Sequence, residues 1–232
     1  MKLIYEGKVK AVYDAGGGKA VIVFRDDITA GDGAKRETMK GKGAINAEIS
    51  ARLMEVLEEE GIETHFIEYR RPDRMVVRKV EIIPLEVIVR NVAAGSLVRR
   101  YPFREGQRLD PPVVEFGYKS DEYHDPMLND DIALALGLCT REELEHMRAT
   151  ALRINDVLKG FFSERGIILV DFKVEFGRAD DGRVILADEI SPDTCRFWDA
   201  ETGDVMDKDR FRRDMGDVMG FYRALRERVL AG

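Results

Sequence analysis

The chain has 232 residues, of which 44% are hydrophobic and 35% charged, and its net charge is −7. A chain of this length can form one large domain or two small ones and can bury a substantial core. The acidic balance argues against a general nucleic-acid-binding protein, which normally carries a strong basic excess. No apolar run approaches the roughly 18 residues of a membrane span, and the N-terminus lacks the apolar stretch of a secretory signal. A cytoplasmic location is therefore expected.

The first part of the chain is predicted to form antiparallel sheet with one helix. Strands are expected over residues 3–14 and 19–25, joined at the turn of Gly16, Gly17 and Gly18. The triple glycine is interpreted as a hairpin turn, because neither GxxxxGK[ST] nor GxGxxG occurs. A helix that ends before Gly61 is expected from the helical spacing of five apolar residues: Ile45, Ile49, Leu53, Val56 and Leu57. Strands are expected after it, over residues 62–69 and 75–82.

The remainder is predicted to hold one more strand and two long helices. The strand covers residues 86–90, after Pro84. One helix begins at a capping box formed by Thr140 and Glu143, and the other runs from Phe211 to Val229 with apolar residues at helical spacing. Together the elements predict an α+β protein of two lobes: residues 1–82, mainly antiparallel sheet with a helix, and residues 83–232, an α/β lobe with long helices.

A hairpin over residues 167–198 carries more charge than a plain core hairpin needs. Alternation along its first strand places Asp171, Lys173 and Glu175 on one face. If the loop contains an even number of residues, the pairing register adds Asp188 to that face. Such a cluster suits Mg²⁺, which is usually bound by one or two carboxylates and the phosphates of a nucleotide. The alternative is the solvated polar face of a half-buried hairpin.

The same hairpin carries a family resemblance. VDFKVEFG followed by DEISPDTCRFWD resembles the signature of the SAICAR synthetase family, which joins aspartate to carboxyaminoimidazole ribotide (CAIR) with ATP. Other segments agree in order: YEGKVKAVY at the start, RDDITAGDGAKRE at 25–37, EVIVRNVAAGS at 86–96, HDPM at 124–127 and MDKDRFR at 206–212. The resemblance spans essentially the whole chain. It implies an ATP cleft between the two lobes, and it implies a homodimer.

The N-terminal strand carries the expected triphosphate contacts. Lys8 and Lys10 are predicted to share a strand face after Gly7, which lets backbone and two cations approach a phosphate group. The resemblance implies that these lysines contact ATP phosphates. It also places Arg78 and Lys79 in the adenine and hinge region.

The resemblance further implies a reaction path through a phosphorylated substrate, a metal site and a set of catalytic residues. ATP would phosphorylate the carboxylate of CAIR, because an ionised carboxylate resists attack by an amine until one oxygen becomes a good leaving group. The expected Mg²⁺ ligands are Glu175 and Asp188, directly or through water. Catalysis is expected to depend on positioning and cationic stabilisation, with the catalytic residues Lys8, Lys10, Arg90, Asp171 and Lys173.

The two other substrates are anions, which arginine guanidinium groups bind bidentately. By resemblance, the substrate-binding residues are Asp32, Arg90, Ser96, Lys119, Asp125, Asp193 and Arg196. Arg99 and Arg100 are interpreted as solvated charges. His124 is either a structural residue or an acid or base, since its pKa cannot be deduced from sequence.

Alternatives remain at this stage for the cysteines and for the activity. Cys139 and Cys195 form no CxxC pair, and Cys195 has no neighbouring histidine, so a bystander thiol is favoured over a nucleophile. A small-molecule kinase or another carboxylate–amine ligase could use the same lysines and acidic pair. A non-catalytic nucleotide-binding module would have little use for an acidic cluster that repels triphosphate in the absence of metal.

Overall fold

Two antiparallel sheets and a small hairpin form the framework of the protein. The structure is a computed structural model that describes residues 1–31, 33–120 and 122–231. The first sheet has the order β1-β2-β3-β7-β6, and its strands are β1 (Lys2–Glu6), β2 (Lys10–Gly16), β3 (Lys19–Phe24), β6 (Phe66–Arg70) and β7 (Arg74–Arg78). Strands β4 (Asp27–Ala30) and β5 (Lys35–Thr38) pair with each other in a two-stranded sheet. The mixture of helix and antiparallel sheet confirms the predicted α+β class.

The predicted first strand is two strands. The chain turns at residues 7–9, and β1 then pairs antiparallel with β2. Lys8 therefore lies in the turn rather than on the strand face of Lys10, and the prediction that alternation places both lysines on one face is wrong. Gly7 at the start of this turn donates its N–H to the carbonyl of Lys10 over 2.9 Å, which closes the turn.

The second sheet has the order β10-β9-β8-β11-β12, with β13 also paired to β11. Its strands are β8 (Glu81–Val92), β9 (Arg108–Tyr118), β10 (Met127–Leu128), β11 (Ile167–Arg178), β12 (Val184–Ala187) and β13 (Cys195–Asp199). Strand β8 continues through Pro84, where a boundary was predicted. Strands β12 and β13 share one edge of β11, and residues 188–194 leave the sheet between them.

Six helices accompany the sheets in the described part of the chain: α1 (Lys42–Glu59), α2 (Ser96–Arg100), α3 (Asp130–Ala135), α4 (Arg141–Ser163), α5 (Asp209–Arg212) and α6 (Val218–Leu230). The predicted helix before Gly61 is confirmed as α1. The capping box of α4 is also confirmed, because Thr140 accepts from the N–H of Glu143 and Glu143 accepts in return. Helices α1 and α4 bury their apolar faces in one hydrophobic core shared by both sheets.

The last predicted helix is interrupted. Between α5 and α6, Asp214, Gly216 and Asp217 all have positive φ, a conformation that no helix continues through. Met215 is 40% exposed, although its spacing predicted a core position. Asp217 then caps α6 by accepting the N–H of Gly220. Among the described residues, no helix has both the length and the apolar character needed to cross a membrane.

Candidate active site

A cleft of about 960 Å³ lies where the turn between β1 and β2, the hairpin of β4 and β5, the second sheet and the segments 188–194 and 208–212 meet. It brings together nine of the residues predicted from sequence: Gly7, Lys8, Lys10, Lys119, Asp125, Lys173, Glu175, Asp188 and Asp193. These residues are far apart in the chain. The fold therefore brings more than half of the residues predicted to bind phosphate, metal or substrate to one cleft.

Lysine ammonium groups neutralise the carboxylates of the cleft. Lys10 contacts both Asp188 and Glu189, the latter over 3.0 Å. Lys119 Nζ lies 2.5 Å from Glu175, and Lys173 Nζ lies 2.5 Å from Glu86. Because charges this well buried are costly unless paired, the pairing accounts for a dense acidic cluster inside the fold.

Asp188 reaches the cleft by a different route from the one predicted. The loop between β11 and β12 has five residues, an odd number, and Glu175 is paired with Ala187. Strand alternation would then turn Asp188 away from Glu175. Instead β12 ends at Ala187, and Asp188 has a left-handed φ of 62°. The predicted register is wrong, and the left-handed turn is what brings Asp188 to the cleft.

The environment shifts the ionisation of these groups in opposite directions. Burial acts to raise the pKa of Asp188, but the ammonium groups of Lys10 and Lys119 outweigh it, so this pKa lies below its ordinary value. Burial raises the pKa of Glu175, and repulsion from Asp188 raises it further. For Lys10, burial lowers the pKa, but Asp188 and Glu189 overcome that effect and hold it well above its usual range. Lys10 is therefore a permanent cation.

The donor set fits a divalent cation that is shared with a phosphate. Within the described ranges, no three His, Cys, Asp or Glu side chains are arranged to hold a metal ion by themselves. Glu175 and Asp188 nevertheless line one cleft and repel each other electrostatically. Mg²⁺ is suited to such a pair, because it usually takes one or two carboxylates and completes its shell with water and nucleotide phosphate.

A second cluster surrounds Arg90, outside the cleft lining. Arg90 is 2% exposed, and its guanidinium contacts Glu115, Asp171 at 3.0 Å and Ser96 at 3.0 Å. Arg196 reaches the same Asp171 over 3.0 Å. Burial raises the pKa of Asp171, although both arginines act against that shift. The predicted residues Arg90, Ser96, Asp171 and Arg196 thus form one hydrogen-bonded unit, with Arg196 its more exposed cation.

Gly95 fits closely beside this unit. It has a φ of 56°, and a Cβ at this position would collide with the guanidinium of Arg196. Glycine is therefore required here both by the backbone conformation and by the approach of the arginine.

Arg78 and Lys79, predicted near adenine, lie outside the cleft lining. Arg78 is the last residue of β7. Its side chain donates to the carbonyl of Thr64 over 2.7 Å and to Glu63 over 3.2 Å. Lys79 pairs with Asp14 at 2.8 Å. These contacts give both side chains partners within the protein.

The remaining predicted residues have mixed outcomes. His124 and Asp125 both have positive φ, and Asp125 accepts the N–H of Ser120 over 2.8 Å while it lines the cleft. Asp32 lies outside the described residues. Cys195 is 3% exposed and burial raises its pKa far above the usual range, so its thiol stays protonated, which favours the bystander interpretation.

Four basic residues that line the cleft were not among the predicted site residues: Arg25, Arg36, Lys208 and Arg212. Lys208 and Arg212 line the cleft from the segment MDKDRFR, one of the segments that carry the family resemblance. Burial lowers the pKa of Lys208 to about 8, and no carboxylate of the described residues lies within ion-pair distance of it. An ammonium group in this situation favours an anionic ligand.

Asp193 is held by two residues that were also missed. Lys42, 1% exposed at the start of α1, lies 2.5 Å from one carboxylate oxygen, and the hydroxyl of Tyr222 donates to the other over 2.7 Å. Both partners come from helices distant in sequence. Their role could not be deduced from local patterns, because it depends on how α1 and α6 pack together.

Known proteins match this chain over nearly its whole length. The model of the family described as SAICAR synthetase matches residues 3–229. A phosphoribosylaminoimidazole-succinocarboxamide synthase of Methanocaldococcus jannaschii is 59% identical, with 97% of this chain and 93% of the relative covered. The relative from Methanopyrus kandleri is 56% identical, with 100% and 94% covered.

Solved structures show the same fold. A SAICAR synthetase in complex with ADP superposes with a TM-score of 0.97 at 48% identity, covering 100% of this chain and 98% of the other. The enzyme of Pyrococcus horikoshii gives a TM-score of 0.92 at 48% identity, covering 96% and 98%. On the family match and these identities, the chain belongs to the SAICAR synthetase family.

Proposed function

We propose that this chain is a carbon–nitrogen ligase that joins L-aspartate to CAIR with ATP, forming SAICAR, ADP and phosphate in purine biosynthesis. The observation that carries the proposal is the cleft itself, where Glu175 and Asp188 lie among Lys10, Lys119 and Lys208. Family membership supports the reaction, and the complex of a similar protein with ADP supports nucleotide use.

The triphosphate is proposed to bind at the turn between β1 and β2. Gly7, Lys8 and Lys10 line the cleft there, and Lys10 is a permanent cation. When phosphate oxygens approach, Lys10 can exchange its carboxylate partners for them, which frees Asp188 for a metal ion. Arg78 and Lys79 are proposed to lie toward the adenine, where the first sheet ends.

Glu175 and Asp188 are proposed to hold Mg²⁺. The ion, when bound, would neutralise the charge that develops on the transferred phosphoryl group. The protein supplies the two carboxylates, and the ammonium groups of Lys119 and Lys10 offset part of the repulsion between them before the nucleotide arrives. Lys173, paired with Glu86, places a further cation beside them.

The anionic substrates are proposed to bind at the basic groups beyond the metal site. Lys208 and Arg212 supply cationic groups inside the cleft, and Arg196 supplies another through the cluster of Arg90, Ser96 and Asp171. Lys119, Asp125, Asp193 and the undescribed Asp32 are further proposed contacts. Holding the carboxylate of CAIR beside the aspartate amine would supply much of the catalysis by orientation, worth roughly 7–11 kcal/mol in favourable cases.

A single assay tests the function. The protein is mixed with MgATP, CAIR and aspartate, and SAICAR and ADP are measured by mass spectrometry. We expect both products only when all substrates are present. ADP formed without aspartate, together with a phosphorylated CAIR that accumulates, would indicate a kinase instead.

The proposal includes a homodimer, a division of the chain at residues 82 and 83 into an ATP-binding and a substrate- and metal-binding lobe, and a cytoplasmic site of action. The homodimer is what the family resemblance implies, and the cytoplasmic site is the expectation drawn from the sequence. Light scattering on the purified protein would test the dimer, and fractionation of the cells would test the location.

A further inference from the structure

The turn that carries Asp188 is built from strained backbone. Asp188 is a non-glycine residue with a φ of 62°, in the left-handed region that L residues rarely adopt. Such a conformation persists only where the surrounding structure holds it in place. The contacts that hold this turn are therefore contacts that determine where the carboxylate of Asp188 points.

His65 holds the turn at one end. Its Nε2 lies 3.0 Å from the carbonyl oxygen of Asp188, and the residue is 3% exposed. Because a carbonyl can only accept, Nε2 carries the proton, and the ring is the Nε2–H tautomer. The main chain of His65 is also fixed, since its N–H donates to Leu186 over 2.8 Å and its carbonyl accepts from Arg78 over 2.6 Å.

Ser50 holds the turn at the other end. Its hydroxyl oxygen, fully buried within α1, accepts the N–H of Ile190 over 3.1 Å. His65 and Ser50 both belong to the first third of the chain, whereas Asp188 follows β12. The two side chains therefore fix the turn from outside its own sheet.

We propose that His65, assisted by Ser50, is a positioning residue that holds Asp188 in its left-handed conformation and so aims its carboxylate at the metal site. This inference rests on the proposed function, because it assumes that Asp188 holds the metal ion. It differs from a purely structural role. A purely structural contact stabilises the fold without affecting metal affinity, whereas outer contacts that orient a metal ligand typically alter metal affinity about 10–100-fold.

The test measures Mn²⁺ affinity of the protein–ADP complex, from the electron paramagnetic resonance signal of free Mn²⁺. His65→Met keeps side-chain volume but removes the donor, and we expect its Mn²⁺ affinity to fall about 10-fold or more. ADP affinity without metal should stay within about twofold of the original, because His65 does not line the cleft. His65→Gln, whose amide N–H can reach the same carbonyl, should restore most of the affinity.

His146 offers a matched control. Its Nε2 makes the same kind of contact, at 2.9 Å to the carbonyl of Val184, at the opposite end of β12 and away from the cleft. His146→Met should leave Mn²⁺ affinity unchanged. If His65→Met fails to fold, the Mn²⁺ affinity of Ser50→Ala tests the proposal instead, and we expect that affinity to fall.

Asp188→Asn separates the two hypotheses. If Mn²⁺ affinity falls in Asp188→Asn but not in His65→Met or Ser50→Ala, Asp188 is a ligand and the positioning role is wrong. If Asp188→Asn leaves Mn²⁺ affinity unchanged, the metal role in the proposed function fails and the inference fails with it. An equal loss of metal-free ADP affinity in His65→Met would indicate general damage and would also overturn the inference.

Discussion

At the scale of single residues, Lys10 lies between the proposed triphosphate site and the proposed metal site. It contacts Asp188 and Glu189 at once, and its high pKa keeps it charged throughout the ordinary pH range. A metal ion bound as proposed would therefore compete with Lys10 for the Asp188 carboxylate. Because nucleotide phosphates give Lys10 an alternative partner, we expect metal and nucleotide to strengthen each other's binding.

Glu175→Gln tests the metal role of the other carboxylate. The amide keeps the shape of the side chain but removes its charge, so charge stabilisation during phosphoryl transfer is lost. We expect kcat to fall about 100-fold or more, with the fold intact by circular dichroism. Glu81→Gln is the control, because Glu81 is an exposed partner of Arg178 distant from the cleft lining. Near-normal turnover of Glu175→Gln at saturating Mg²⁺ would contradict the metal role.

Lys208 predicts a proton linkage. Since burial lowers its pKa to about 8, roughly half of the molecules carry a neutral Lys208 at pH 8. An anionic substrate favours the charged form and raises this pKa, so binding should take up protons at pH 8 and weaken as pH rises further. At pH 6 the amine is already charged, and the uptake should vanish. The number of protons taken up on CAIR binding is measured by calorimetry in buffers of different ionisation enthalpy.

Lys208→Met is the matched variant for that measurement. It keeps the chain length of the stem but cannot ionise, so proton uptake at pH 8 should disappear while Arg212 still binds anions. An unchanged uptake in Lys208→Met would assign the titrating group elsewhere.

Sequence patterns located many of these residues, but not always for the right reason. Glu175 follows from alternation along β11, which depends only on the period of a strand. Asp188 lines the same cleft as Glu175, as expected, but the register that led to this expectation is wrong. The length of the loop and the left-handed backbone of Asp188 could not be deduced from the sequence pattern. Lys42 and His65 could not be found at all, since their contacts with Asp193 and Asp188 exist only after distant segments pack.

At the scale of elements, prediction succeeded where one physical signal dominated. Helices α1 and α4 carry long apolar periodicity, and α4 adds a capping box, so both were predicted. The break between α5 and α6 was missed, because Phe211 and Met215 continue the helical spacing although the chain turns at Asp214. The split of the first strand into β1 and β2 was missed since a single glycine was the only turn residue there.

The capping box of α4 gives an element-scale prediction. Thr140→Ala removes the acceptor for the N–H of Glu143, and we expect the free energy of unfolding to fall by about 1 kcal/mol. Activity should be unchanged, because Thr140 does not line the cleft. Urea denaturation measures the change, and Thr140→Ser should retain most of the stability. A loss of turnover without a loss of stability would mean that this end of α4 contributes to the site.

At the scale of the whole molecule, the cleft reverses the charge balance of the chain. Although the net charge is −7, the described residues that line the cleft include eight cationic and seven acidic side chains. Several of those acidic groups are neutralised by adjacent lysines. The described lining is therefore slightly cationic in an otherwise acidic chain, and we expect the binding of anionic substrates to weaken as salt is raised.

The path of one oxygen atom tests the reaction that this assembly is proposed to perform. If the carboxylate of CAIR is phosphorylated and then attacked by the aspartate amine, a carbon–oxygen bond breaks and that oxygen leaves with phosphate. CAIR labelled with ¹⁸O in its carboxylate should therefore yield ¹⁸O-labelled inorganic phosphate in step with SAICAR, as mass spectrometry can measure. An uncoupled ATPase would take the oxygen from water, and a kinase would release no phosphate. Incubation without protein controls for exchange of the carboxylate with water and bicarbonate. Unlabelled phosphate formed alongside SAICAR would rule out the acyl phosphate while leaving the overall ligation in place.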